Sequence, residues 1–96
     1  MVKGVGAGQA GDVETTFPNV QRILAANVRY LRSDRRMTQE RLAEVAEIDV
    51  RHVQRIEAGE ANPQLDTLCL LAGALGTTPS ELIALNMDKN GEPSSK

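Results

Sequence analysis

Apolar residues recur every three or four positions through the middle of the chain, which is the period of an α-helix rather than of a strand. The first such segment contains Val20, Ile23, Leu24, Val28 and Leu31. The second and third contain Leu42, Val45, Ala46, Val53 and Ile56. The fourth and fifth contain Leu65, Leu68, Leu71, Ala72, Leu75, Leu82, Ile83 and Leu85. Because no run alternates with period two, the pattern predicts an all-α, compact fold of five short helices.

Residues with strong boundary preferences lie between these segments. Thr38 and Asp49 are favourable N-caps for the second and third helices, because their side-chain oxygens accept hydrogen bonds from free backbone N–H groups. Gly59 and Gly76 stand where the third and fourth helices should end in the left-handed conformation. The sequence Thr78–Glu81 reads Thr-Pro-Ser-Glu, which supplies an N-cap, a proline at the first helical position and the glutamate of a capping box. These residues predict the helix boundaries.

The two ends of the chain differ in composition from its centre. Residues 1–16 are rich in glycine, and the run 6–11 matches GxGxxG, but no strand precedes it and no helix follows directly. We therefore expect a flexible tail or a cloning remnant over residues 1–16 rather than a dinucleotide site. Residues 87–96 are polar and are expected to be flexible too. A single helix-turn-helix domain is predicted over residues 17–86.

Composition excludes several classes of protein. The 96 residues contain no apolar run long enough to cross a membrane, and no basic-then-apolar leader opens the chain, so a cytoplasmic protein is expected.

The single cysteine, Cys69, cannot form an internal disulfide or a cysteine zinc site, and it lies in an apolar segment where we expect a small core residue. His52 has no evident metal-binding partner. No catalytic or cofactor motif is present, so neither an enzyme nor a cofactor or metal is expected.

Two short helices joined by about three residues, as predicted after the caps Thr38 and Asp49, are typical of a helix-turn-helix. Residues 24–85, about two thirds of the chain, resemble the lambda-repressor-like (Xre/Cro type) DNA-binding domain family. The resemblance is carried by TQERLA at 38–43, RIEAG at 55–59 and NPQLDTL at 62–68. The size of the chain is also similar to that of restriction–modification controller proteins. The resemblance implies that the third helix reads DNA.

The exposed face predicted for the third helix carries side chains suited to base recognition. With Val53 and Ile56 facing the core, the opposite, solvent-facing side of the helix presents four residues, which are Val50, Arg51, Gln54 and Arg55. Arginine pairs with guanine, glutamine pairs with adenine and valine packs on the thymine methyl group. From the charges alone, the arginines could equally be ordinary solvated surface residues. The family resemblance implies that the base-contacting residues are Val50, Arg51, Gln54 and Arg55.

The resemblance also implies contacts to the DNA backbone and one structural ion pair. Gln39 corresponds to a phosphate-binding position at the start of the second helix, where free N–H groups and the helix dipole favour an anion. Thr38 is expected to assist it, and His52 is expected to make a phosphate or surface contact. An ion pair between Arg32 and Glu57 is expected to orient the end of the third helix.

The distribution of charge reconciles DNA binding with a net charge of −2. Residues 20–57 contain eight arginines and six acidic residues, a local charge of +2. Residues 58–96 contain two lysines and five acidic residues, a local charge of −3. The positive charge is therefore concentrated around the predicted helix-turn-helix, and weak non-specific binding to DNA is expected.

Four residues depart from the family pattern. Glu47 replaces the usual turn glycine, so either the turn differs or Glu47 is strained by a positive φ. Glu60 lies where the family approaches phosphate and is expected to weaken binding through repulsion. Leu70 and Gly73 replace polar residues of the fourth helix, and an exposed leucine there indicates a contact surface.

These observations predict a sequence-specific transcriptional regulator that binds double-stranded DNA as a homodimer. The half-sites of a two-fold operator would lie about 34 Å apart. Dimer contacts are expected from the fifth helix and its surroundings, at Leu70, Leu82 and Leu85. No small-molecule effector is evident, and activation and repression are equally open. The alternative is an antitoxin or another protein-interaction module of the same fold, which would bind a protein partner as well as DNA.

Overall fold

A computed structural model describes residues 15–85 and contains, within that range, five helices and no strand. The helices are α1 (Phe17–Asp34), α2 (Gln39–Ala46), α3 (Val50–Glu57), α4 (Leu65–Leu75) and α5 (Pro79–Leu82). The predicted all-α fold is confirmed. The tails predicted at 1–16 and 87–96 lie almost wholly outside the described residues. No helix in residues 15–85 is long and apolar enough to span a membrane.

The helix starts follow the predicted capping chemistry. The hydroxyl of Thr38 accepts a hydrogen bond from the Arg41 backbone N–H at 2.9 Å, and the Thr78 hydroxyl accepts one from the Glu81 N–H at 3.2 Å. The Asp49 carboxylate caps α3. These contacts satisfy N–H groups that have no partner inside the helix. Thr16, which was predicted to belong to the N-terminal tail, caps α1 in the same way.

The helix ends use left-handed residues. Gly59 (φ +75°) follows α3 and Gly76 (φ +72°) ends α4, as predicted. Arg36 and Glu47 also have positive φ, at 57° and 61°. Glu47 closes α2 by donating its backbone N–H to the carbonyls of Ala43 and Glu44. The turn therefore keeps the glycine-like geometry, and the non-glycine residue carries the strain.

Replacing Glu47 with glycine is expected to stabilise the fold. A residue with a Cβ loses about 1–2 kcal/mol of stability in the left-handed conformation, and glycine avoids this cost. Part of the gain is offset because glycine has a greater conformational entropy in the unfolded chain. A net gain of up to about 1 kcal/mol corresponds to a rise of roughly 4–8 °C in the melting temperature, measured by circular dichroism. The matched control is Glu44→Gly inside α2, which should lower it because glycine disfavours helix interiors. A melting temperature of Glu47→Gly at or below that of the unmodified chain would contradict the strain.

The core is aliphatic and joins all five helices. Its fully buried large side chains are Val28, Leu42, Val53, Ile56, Leu71, Leu75 and Leu82. α3 packs on α1 and α2, while α4 packs on α2 and α5. The helix pair α2–α3 is thereby held from one side only, which leaves the other side of α3 open.

Several apolar residues do not take the positions that periodicity predicts. Val45 and Leu65 are exposed although the pattern placed them inward. Cys69 is exposed rather than a core residue, because α4 buries Leu68 and Leu71 on its other side.

The fifth helix is shorter than its apolar run predicts. It ends at Leu82, so Ile83 and Leu85 lie beyond it and are exposed. The reason is the half-turn that follows, where Asn27 on α1 donates its amide Nδ2 to the carbonyls of Leu82 (2.8 Å) and Ala84 (2.9 Å). These carbonyls are satisfied by α1 rather than by a further helical turn.

Candidate nucleic-acid interface

α2 and α3 form a helix-turn-helix joined by residues 47–49. Val53 and Ile56 are buried against the core and fix the orientation of α3 about its axis. Arg51, Gln54 and Arg55 are exposed on the other side, as helical spacing requires. The structure therefore brings three of the four predicted base-contacting side chains onto one open face.

The remaining predicted positions on α3 are more enclosed. Val50 is half-buried and packs against the edge of the core. His52, in the first turn of α3, is also half-buried. Arg55 is restrained by its Nη2, which donates to the carbonyl of Glu60 at 3.2 Å. That contact ties the exposed face of α3 to the loop that follows, where Glu60 itself is exposed.

Arg51 is paired with the residue that caps its own helix. Asp49 Oδ1 accepts from the Arg51 backbone N–H at 2.8 Å, and Arg51 Nη2 lies 3.2 Å from Asp49 Oδ2. The side-chain hydrogen bond from Arg51 is the largest cause that lowers the pKa of Asp49, and the backbone hydrogen bond adds to it. The same contact raises the pKa of Arg51. Both charges are therefore held in their ionised forms.

This pairing predicts a small acid-dependent change in stability. Since the pKa of Asp49 lies below its ordinary value of 3.8 in the folded chain, its carboxylate stabilises the fold above that value. The stabilisation is lost as pH falls through the folded-state pKa. We expect Asp49→Asn to be slightly less stable than the unmodified chain at neutral pH, and the difference to vanish in strong acid. Denaturant unfolding across pH measures it, and a difference that persists unchanged in acid would contradict the prediction.

A buried carboxylate connects α1, α2 and α3. The Glu57 side chain is only 4% exposed, and the predicted ion pair is present, with Arg32 Nε 2.6 Å from Glu57 Oε2. Arg32 Nη2 donates to Oε1 at 3.0 Å, and Arg32 Nη1 donates to the carbonyl of Met37 at 2.8 Å. The hydrogen bond from Arg32 to Glu57 is the main cause that raises the pKa of Arg32.

Two partners of Glu57 were not predicted from the sequence. Gln39 Nε2 donates to Glu57 Oε1 at 3.0 Å, which joins the predicted phosphate-binding residue to the ion pair. Arg29 donates to the backbone carbonyl of Glu57. The signal available in the sequence was the position of Arg29, three residues before Arg32 and so on the same side of α1. Thr38, the other phosphate candidate on α2, is exposed beside Gln39.

The predicted dimer residues separate into exposed and buried. Leu70 on α4 is 44% exposed and Leu85 is 61% exposed, so both side chains are available to a partner. The assignment of Leu82 is wrong in this respect, because Leu82 is fully buried in the core of its own chain. Ile83, which was not among the predicted dimer contacts, is exposed instead and lines an apolar groove of about 150 Å³ with Phe17.

Comparison with known proteins places these features in a family. Residues 28–82 match the HTH_3 family, described as helix-turn-helix. The chain is similar to the control protein C.SmaI of Serratia marcescens, with 35% identity over 79 residues that cover 82% of this chain and 94% of that protein.

Two solved structures have the same fold. The restriction–modification controller protein C.AhdI from Aeromonas hydrophila matches with a TM-score of 0.62 and 32% identity, over 65% of this chain and 94% of that one. The hypothetical transcription factor NHTF from Neisseria matches with a TM-score of 0.68 and 27% identity, over 77% of this chain and 86% of that one.

Proposed function

Because this chain belongs to the HTH_3 family of lambda-repressor-like helix-turn-helix transcription regulators, we propose that it binds a two-fold DNA operator sequence-specifically as a homodimer. The observation that carries the proposal is the open face of α3, where Arg51, Gln54 and Arg55 are exposed while Val53 and Ile56 anchor the helix. An α-helix fits the major groove of DNA, where each base pair presents a distinct set of donors and acceptors.

Within this proposal the side chains have separate tasks. Arg51 and Arg55 pair with guanine, and Gln54 pairs with adenine. Val50, which lies at the edge of the core, packs on a thymine methyl group. Thr38, Gln39 and His52 contact phosphates and set the register of the protein on the duplex. Glu60 is exposed in the loop after α3, where its negative charge repels nearby phosphates and lowers the affinity for DNA.

The homodimer follows from the symmetry of such operators. Two copies of α3 would enter successive major grooves about 34 Å apart. Leu70 and Leu85 supply exposed apolar surface for the contact, and Ile83 extends it. Dimerisation would also stabilise a domain of this size, whose small core buries a limited fraction of its surface.

The similarity to C.SmaI and C.AhdI favours a restriction–modification system as the regulated operon. A methyltransferase or endonuclease gene beside the gene for this chain would support that assignment. A toxin gene beside it would instead favour an antitoxin that also binds its own operator.

The decisive experiment is selection of bound sequences from random double-stranded DNA, repeated with Arg51→Ala and Arg55→Ala. We expect a palindrome whose specificity relaxes at different positions in the two variants. Arg22→Ala is the matched control, because Arg22 is an exposed arginine on α1 that has no place in the proposed interface. Enrichment of no sequence, or unchanged preferences in both α3 variants, would overturn the proposed readout.

The dimer is tested separately. Cys69 is the only cysteine of the chain, and it is exposed beside Leu70 on α4. If this part of α4 lies in the interface, a short thiol crosslinker should join two copies, and Leu70→Ser should weaken the dimer in sedimentation. Leu65→Ser is the control, because Leu65 is 78% exposed on the same helix but is not a proposed contact. A monomer at the concentrations that bind DNA would contradict the proposal.

A further inference from the structure

The carboxylate of Asp49 holds both the backbone and the side chain of Arg51. Its Oδ1 accepts the Arg51 backbone N–H at 2.8 Å and also faces Arg51 Nε at 3.4 Å. Its Oδ2 accepts from Arg51 Nη2 at 3.2 Å. Both carboxylate oxygens are therefore occupied by one arginine, in the two-oxygen, two-nitrogen arrangement that suits a planar guanidinium.

The arrangement leaves one edge of the guanidinium unused. The group carries five N–H donors in a rigid plane, and Asp49 occupies the edge formed by Nε and Nη2. The adjacent edge, which carries a donor on Nη1 and a second donor on Nη2, points away from Asp49 in the plane of the guanidinium. The Arg51 side chain is 82% exposed, so this edge is open to a ligand. Two parallel donors are what the O6 and N7 acceptors of guanine require.

We propose that Asp49 is a specificity-determining positioning residue, which holds Arg51 so that its free edge meets a guanine in the major groove. The inference rests on the proposed function of α3. A long arginine side chain loses conformational freedom when it binds, and a partner that already restrains it reduces that loss. Restraint also limits the alternative hydrogen bonds that a mobile arginine makes to other bases.

Helix capping does not require a carboxylate at this position. Asparagine and serine cap helices about as well as aspartate, because each offers one oxygen to the backbone N–H. Only a carboxylate offers two equivalent acceptors, which here receive the capping N–H and both guanidinium nitrogens. The capping role and the positioning role can therefore be separated by experiment.

The test is Asp49→Asn, which keeps the cap and removes the charged two-oxygen acceptor. Binding is measured to the selected operator and to an operator whose guanine, at the position that relaxes in Arg51→Ala, is replaced by adenine. We expect the ratio of the two affinities to fall by about tenfold, which is part of what a bidentate contact contributes. The melting temperature should change only slightly, and binding to random DNA should not weaken, because one negative charge has been removed.

Two controls isolate the effect. In an Arg51→Ala background, Asp49→Asn should leave the ratio unchanged, because the arginine it positions is absent. Asp66→Asn changes an exposed first-turn carboxylate of α4, which accepts from the Thr67 backbone N–H, and should not alter the ratio.

The possible failures are distinguishable. If the unmodified chain selects a sequence but Asp49→Asn keeps its discrimination, this inference is overturned and the proposed function stands. A larger ratio in Asp49→Asn would also overturn it, since Asp49 would then compete with guanine for Arg51. If the unmodified chain selects no sequence, the proposed function and this inference fall together.

Discussion

Glu57→Gln is expected to lower the free energy of unfolding by about 3 kcal/mol, although the two side chains have nearly the same shape. The carboxylate is 4% exposed and accepts from Arg32 Nε, Arg32 Nη2 and Gln39 Nε2. A glutamine in either orientation directs an NH2 group at one of these donors and leaves the Arg32 charge without its counter-ion. Denaturant unfolding measures the loss, which corresponds to a fall of more than about 10 °C in melting temperature.

The matched control is Glu44→Gln. Glu44 pairs with Arg41 at 3.0 Å, but both side chains are well exposed, so the pair should contribute less than about 1 kcal/mol. The same chemical change is thereby compared in a buried and in an exposed ion pair. A double-mutant cycle with Arg32→Met attributes the loss to the pair itself. If Glu57→Gln and Glu44→Gln lowered the free energy of unfolding equally, burial of the Glu57 carboxylate would not increase its contribution to stability.

The helices could be predicted because their signals are local. Caps such as Thr38 and Thr78 act within three residues, and the left-handed Gly59 and Gly76 end helices through their own backbone freedom. The length of α5 could not be predicted in this way. Its end depends on Asn27, which is more than fifty residues earlier and reaches the carbonyls of Leu82 and Ala84.

The burial of α4 shows a second limit of the sequence pattern. Leu65 and Cys69 lie on the outer side of α4, while Leu68 and Leu71 lie inside. Because apolar residues occupy both sides, periodicity does not indicate which side faces the core. Packing against α2 and α5 decides it.

For the candidate site, as for the helices, the residues could be predicted from the sequence but several of their contacts could not. Helical spacing and the family resemblance identified the exposed residues of α3 and the partners Arg32 and Glu57. The contacts of Arg51 with Asp49 and of Gln39 with Glu57 depend on side-chain rotamers and on how three helices meet. Such contacts alter what the same residues can do, because an arginine already held by a carboxylate has fewer free donors than an isolated one.

Gln39→Glu is expected to weaken binding to every DNA sequence by about a hundredfold, because it places a negative charge against the phosphate proposed to lie at the start of α2. Gln39 is half-buried, and its Nε2 donates to Glu57 Oε1. A glutamate has no donor for Glu57 and is repelled by it, so the new charge should turn toward the open start of α2, where the phosphate is proposed to lie. Fluorescence anisotropy with the selected operator and with random DNA measures the effect. The ratio of the two affinities should stay constant, since phosphates carry no sequence information.

Two further variants separate repulsion from loss of structure. Ala26→Glu adds one negative charge on the exposed face of α1 that also carries Arg22, outside the proposed DNA and dimer contacts, and should change DNA binding little. Gln39→Met removes the hydrogen-bonding amide without adding charge, so it should weaken binding to all sequences by a smaller factor than Gln39→Glu. Unfolding of each variant is measured alongside, because a glutamate beside Glu57 also repels a buried carboxylate. If folded Gln39→Glu binds as tightly as the unmodified chain, or if it loses only the selected operator, Gln39 does not bind phosphate. The DNA backbone would then have to be held by groups other than Gln39 at the start of α2.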